Sequence, residues 1–177
     1  AKTVWGGRVT KGSETIATEN QVLVSGGTVE NIYGGSACTE ASGNTVTISG
    51  GTITGNVFGG QSTDSNTATN NKIILAQGAA NANLKSATLY GYVGFNSNSS
   101  VTNHSGNTLT VEKEKNITLA TVKNFDVYDF QLGDVKNGDV ILNLLNDTNL
   151  GNATVKVANA GNVFPTDITG DRVLYLM

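Results

Sequence analysis

At 177 residues, with a net charge of -3 and a pI near 5.0, the chain is long enough to bury one elongated core and has no basic face for a nucleic-acid partner. Gly, Asn, Ser and Thr make up nearly half of it and Pro occurs once, yet hydrophobic residues reach 38% and charged residues only 14%, which excludes a disordered polyelectrolyte. The single cysteine, Cys38, excludes an intramolecular disulfide and a cysteine-based zinc site, and no apolar stretch approaches the ~20 residues needed to cross a bilayer.

The apolar residues fall in short, largely β-branched clusters parted by Gly and Asn, a pattern of short strands and tight turns. Taken in chain order, the first unit runs Val4-Trp5-Gly6-Gly7, then Asn20 with Val22 and Val24, then Ser25-Gly26-Gly27-Thr28-Val29. The second repeats that order with Ile32-Tyr33-Gly34-Gly35, Asn44 with Val46 and Ile48, and Ser49-Gly50-Gly51-Thr52-Ile53. The third has Val57-Phe58-Gly59-Gly60 and Asn71 with Ile73 and Leu75. A degraded fourth has Leu89-Tyr90-Gly91 and Asn107 with Leu109 and Val111. The spacing of the asparagines is uneven, as expected where insertions enlarge loops on one side of a stack and the strands keep register. Beyond residue 111 the repeat weakens, but Ile117-Thr118-Leu119, Val140-Ile141-Leu142, residues 153–157 and residues 173–176 still read as strands.

Units this short cannot bury their own apolar face, so they must stack on copies of themselves. The sequence therefore predicts an all-β, right-handed parallel β-helix (β-solenoid) in one domain. Residues 1–111 form its repeat coils, and residues 112–177 form final irregular coils or a cap continuous with the same solenoid. Val46, Ile48, Ile53 and Val57 point into a narrow core. Trp5, Tyr33, Phe58 and Tyr90 form one aromatic stack, and Asn20, Asn44, Asn71 and Asn107 form an amide ladder. A β-sandwich does not require the same order of residue types to recur, and a calcium-binding nonapeptide roll needs a Gly-x-Asp after each glycine pair, which is missing here. No window of a dozen residues has helical spacing, so helix content should be very low.

The run Asn44-Thr45-Val46-Thr47-Ile48-Ser49-Gly50-Gly51-Thr52-Ile53-Thr54-Gly55-Asn56-Val57-Phe58-Gly59-Gly60 resembles the repeat of passenger domains in Gram-negative autotransporter (type V secreted) adhesin-like proteins. Residues 122–127, 138–142 and 170–174 are similar to the segment that closes the repeats in that family. The resemblance implies an extracellular, surface-displayed or secreted rod used in virulence-related cell adhesion or as a spacer. It implies a host-cell, bacterial or glycan surface ligand as partner, alongside the remainder of the parent passenger chain. The family's outer-membrane barrel has no counterpart in this sequence, so no direct membrane insertion of this segment is expected.

Many parallel β-helices are polysaccharide lyases or hydrolases, whose sites need clustered carboxylates or Asp paired with Lys or Arg. Here Glu14, Glu19, Glu30, Glu40 and Asp64 are scattered, and Arg8 and Arg172 are the only arginines. His104 sits in the polar turn Asn103-His104-Ser105-Gly106 and reads as an exposed loop histidine. No catalytic residue and no cofactor are expected. Asp126, Asp129, Asp134 and Asp139 are the densest carboxylates. Asp126 and Asp129 are Ca²⁺ candidates if they converge with backbone carbonyls, although turn and solvent-facing strand positions are the preferred reading. The alternating run Glu112-Lys113-Glu114-Lys115 reads as a solvated turn or edge. The Asn-x-Ser/Thr triplets at Asn98, Asn103, Asn116, Asn146 and Asn152 read as chance in so Asn- and Thr-rich a chain. The leading expectation is a non-enzymatic adhesive or structural rod, with any binding carried by loops 36–43, 61–70 and 92–106. The rival is a carbohydrate-active enzyme or carbohydrate-binding module on the same fold, using exposed aromatics such as Tyr92 or Phe95.

Overall fold

The structure, a computed structural model, describes residues 1–10, 15–62, 67–95, 101–159 and 175–177. Glu14, Asp64, Asn98, Arg172, residues 170–174 of the closing segment and parts of loops 61–70 and 92–106 lie outside the described residues.

Alternating apolar and polar residues make each strand one-sided, and the glycine corners between strands turn the chain back over itself. Coil 1 holds β1 (Thr3–Arg8), β2 (Gln21–Val24) and β3 (Thr28–Val29). Coil 2 repeats these as β4 (Asn31–Ser36), β5 (Thr45–Ile48) and β6 (Thr52–Ile53). Coil 3 has β7 (Asn56–Ser62), β8 (Lys72–Leu75) and a 3-10 turn, Ala79–Asn81, which is the helical element among the described residues. Coil 4 has β9 (Leu84–Gly94) and β10 (Thr108–Glu112), coil 5 has β11 (Ile117–Lys123) and β12 (Val127–Leu132), and coil 6 has β13 (Leu142–Leu144) and β14 (Thr154–Asn159).

Corresponding strands of successive coils pair in parallel. One sheet runs β1-β4-β7-β9-β11-β13, a second runs β2-β5-β8-β10-β12-β14, and β3 pairs with β6 as a short third side. The chain is a parallel β-helix. Coils 5 and 6 continue both sheets past residue 111, and Tyr175 bridges Val140 as the start of another rung.

The registers stack like on like. Val22, Val46, Ile73, Leu109 and Tyr128 form one inward column, and Ile32, Val57, Leu89 and Val122 form another. Together with Ile48, Ile53, Leu75 and Phe130 they belong to one continuous core. Each such side chain contributes about 1.5–3 kcal/mol by leaving water, an upper estimate for a chain already partly collapsed when unfolded.

The charged run at Glu112–Lys115 lies at a partly exposed connection between β10 and β11, and two of its charges reach other coils. The Gly78 backbone N–H of coil 3 donates to Glu114 Oε1 at 2.6 Å, and Lys115 Nζ donates to Asp139 Oδ2 at 2.8 Å and to the Asp134 carbonyl at 2.9 Å. The corner thus ties an earlier coil to a later one. The Lys115 hydrogen bond, followed by that from the Lys136 backbone at 2.6 Å, holds the Asp139 carboxyl below its ordinary range. The partners of Glu114 and Lys115 lie 36 and 24 residues away in the chain.

Candidate functional site at the end of the ladders

Four columns run through coils 1 to 4, and their chemistry defines the site. The first is the amide ladder. Asn20 donates its backbone N–H and its Nδ2 to Asn44 Oδ1 at 3.1 and 2.8 Å, Asn44 does the same to Asn71 Oδ1 at 3.1 and 3.0 Å, and Asn71 to Asn107 Oδ1 at 3.1 and 3.1 Å. Nδ2 of Asn44, Asn71 and Asn107 also donates, at 2.9 Å, to the carbonyls of Ala17, Ala41 and Ala68. Both amide hydrogens are therefore used, which removes the penalty of burying a polar group.

The fifth rung is Asp126. Its Oδ2 accepts from Asn107 N at 2.9 Å and from Nδ2 at 3.2 Å. Every rung donates towards the next coil, so the last rung needs only to accept, and a carboxylate does that without an unused donor. This differs from the calcium reading of Asp126. Asp129 stands in β12 opposite Thr110 and accepts from Gln131 Nε2 at 3.1 Å, so the two candidates do not converge. Among the described residues no three of His, Cys, Asp and Glu come together to hold a metal ion.

The second column is aromatic. Trp5, Tyr33 and Phe58 alternate along their strands with inward Val4, Ile32 and Val57, so the rings lie on the outer face of the first sheet. Ring centroids are 4.0 Å apart for Trp5 and Tyr33, 4.6 Å for Tyr33 and Phe58, and 5.0 Å for Phe58 and Tyr90, with planes within 23°. Cations close the column: the Arg8 guanidinium lies 4.4 Å from the Trp5 centroid, and Lys123, in register below Tyr90, lies 5.8 Å from that ring. A double-mutant cycle of Tyr33→Ala and Phe58→Ala, followed by urea unfolding, should return a coupling of about 0.5–1.5 kcal/mol, the double variant losing that much less than the sum of the two single losses.

The third column is one of small residues that make room for the first. A Cβ on Gly7, Gly35 or Gly60 would be driven into the amide of Asn20, Asn44 or Asn71. The fourth, which the strand reading missed, is a line of single parallel bridges, Ile16-Glu40-Thr67-Asn103. It carries Ala17, Ala41 and Ala68, all buried, in the positions next to the bridges. Each lies three residues before a ladder asparagine, a spacing visible in the sequence.

Both of these columns change in coil 4. Tyr92 is in register with Gly60, and His104 follows Asn103 where Ala68 follows Thr67. Their rings stack with centroids 4.3 Å apart and planes 16° from parallel. Tyr92 is 8% exposed and packs with Ala68 and Val101 in a small core of its own, so it is not the exposed aromatic expected, while Phe95 is 42% exposed. His104 is surface-accessible, but it is not a bare loop residue: Nδ1 lies 3.7 Å from Asp126 Oδ1.

Coil 5 then cuts the corner. The asparagine rungs are 24, 27 and 36 residues apart, but Asn107 and Asp126 are separated by only 19. Asn124-Phe125-Asp126 replaces the whole loop, and Asn124, at φ 58°, donates Nδ2 to the Tyr92 carbonyl at 3.0 Å. Below the coil 4 loop the wall steps inward and leaves an open groove of about 690 Å³. It is lined by Tyr92, His104, Lys123, Asp126 and Tyr128, and by residues 147–153 of coil 6.

Burial, and secondarily the nearby Asp126 charge, raises the phenol of Tyr92 and pushes that of Tyr128 up to about 12. Both hydroxyls therefore remain neutral donors at physiological pH. A phenol whose folded pKa exceeds the unfolded 10.0 stabilises the fold fully below pH 10, and that contribution is lost between pH 10 and about 12. Unfolding free energy measured across that window should fall, and Tyr128→Phe should make the fall shallower. Comparison of the chain with protein-family models, with curated proteins and with solved structures returns no match.

Proposed function

We propose that the chain is a non-enzymatic segment of a secreted or surface-displayed protein of a Gram-negative-type bacterium, a β-helical shaft of the autotransporter-passenger kind with adhesive capacity on its loop side. The observation that carries this reading is the set of ladders. Their amides, rings and carbonyls are satisfied coil by coil, so a long stack holds itself together without a thick core, as a rod displayed outside the cell requires. The loops between the first and second sheets, where coil length varies, are free to differ from rung to rung and are the natural seat of recognition.

The test is an adhesion assay with beads coated with the purified chain. Saturable attachment to host or bacterial cells, competed by the soluble chain and unaccompanied by shortening of surface polysaccharide, supports the reading. Reducing-end or unsaturated sugar products would overturn it in favour of a carbohydrate-active enzyme.

A further inference from the structure

Because the coils are internal copies of one another, each rung position carries its own expectation, and departures stand out without any second sequence. Four departures fall in two adjacent coils: Tyr92 in the glycine column and His104 in the alanine column of coil 4, Lys123 below the aromatic column and Asp126 below the asparagines in coil 5. Asp126 and Lys123 each also close a column, but closing the columns does not require all four polar groups to face one space. Together these four bring a phenol, an imidazole, an ammonium and a carboxylate to one groove. In a chain whose other rungs obey their local rules, breaks that converge on a cavity are where function is expected.

We infer that this groove is a binding site for a neutral saccharide, held by contact with the exposed His104 ring, which the buried Tyr92 ring backs, and by hydrogen bonds to Asp126 and the 147–153 loop. The inference deepens the adhesive reading and rests on it for the sugar's role as a surface ligand. The chemistry favours this class. Asn107 pins Asp126 Oδ2 with two donors, so Oδ1, 3.7 Å from His104 Nδ1, is held in place as an acceptor at the groove. Asp147, Thr148 and Asn152 add a carboxylate, a hydroxyl and an amide around the same space. Alternating acceptors and donors beside an aromatic face match a ring carrying hydroxyls. A phosphorylated or sulfated ligand would meet two carboxylates, Asp126 and Asp147, against one ammonium, Lys123, which already lies over the Tyr90 ring, and an apolar ligand would make no use of the polar lining.

The experiment is an array of neutral, N-acetylated, sialylated and sulfated oligosaccharides, followed by calorimetric titration of the best neutral binder. His104→Ala, Asp126→Asn and Asp147→Asn are each expected to weaken that binder by about tenfold or more. Lys85→Ala, on exposed β9 outside the groove, should leave it unchanged. Urea midpoints of all variants are measured alongside, so that lost binding is not mistaken for lost folding. Array signal confined to sialylated or sulfated sugars overturns the assignment, as does neutral binding that survives both His104→Ala and Asp126→Asn. Adhesion to cells with no array signal overturns the saccharide site and leaves the adhesive rod intact. Groove-dependent binding accompanied by sugar cleavage upholds the site and overturns the non-enzymatic reading.

Discussion

Asn71→Ala is expected to lower the unfolding free energy by about 3–5 kcal/mol, a large fraction of the total stability of a domain this size. The residue is fully buried and engages groups above and below it at once. Its loss strips the acceptor from Asn44 N and Nδ2 and the donor from the Ala41 carbonyl, and leaves Asn107 Oδ1 with only the backbone N–H of residue 71 as donor from that rung. Each stranded buried group costs about 1–3 kcal/mol, less where neighbours relax, so the sum exceeds what one missing side chain would suggest. Asn71→Asp should be at least as damaging, because a carboxylate has nothing to donate to the Ala41 carbonyl. By contrast, Asp126→Asn should change stability by no more than about 0.5 kcal/mol, since the ladder asks this rung only to accept. Urea unfolding of the three variants checks the order, and a mild Asn71→Ala would mean that the ladder is ornamental.

The second large effect is expected at Gly60, where alanine should cost about 3 kcal/mol from a change of one methyl group. The added carbon would press on the Ala41 carbonyl oxygen and on Asn71 Nδ2, both part of the hydrogen-bonded column and unable to retreat without breaking it. Gly26→Ala is the control. A Cβ there meets nothing within 4 Å, and its cost should stay within about 0.5–1 kcal/mol. Equal losses at the two glycines would show that the close approach is not the reason the column is glycine.

Much of this architecture was legible because stacking like on like makes the chain repeat itself. The order aliphatic, aromatic, glycine, asparagine and alternating strand recurs at residues that the structure pairs: Trp5 with Tyr33, Tyr33 with Phe58, and Val22 with Val46. The groove was not legible for the opposite reason, since it is built where repetition stops. Asp126 does begin the same alternation, with Tyr128 and Phe130 inward, but a carboxylate in place of an amide and a spacing of only 19 residues concealed it. The bridge line at Ile16, Glu40, Thr67 and Asn103 has no apolar alternation of its own and left only an alanine three places ahead of each asparagine as its trace. His104 occupies that place in the fourth unit, and its turn-like neighbours suggested a solvent residue. The partners of Glu114 and Lys115 were not legible, because a sequence presents the two as neighbours while the coil presents each to a different storey.

The one-way donation along the asparagines gives the molecule a grammar for growth. A duplicate of residues 56–83 spliced in ahead of Leu84 would offer an acceptor to the turn before it and find one in the turn after it, so the shaft should lengthen by a storey with its bonding intact. The same insertion placed after Asp126 would meet a carboxylate with no hydrogen to pass on. The aspartate is a full stop for the amide ladder, and a duplicated turn keeps that ladder only if it is written before it.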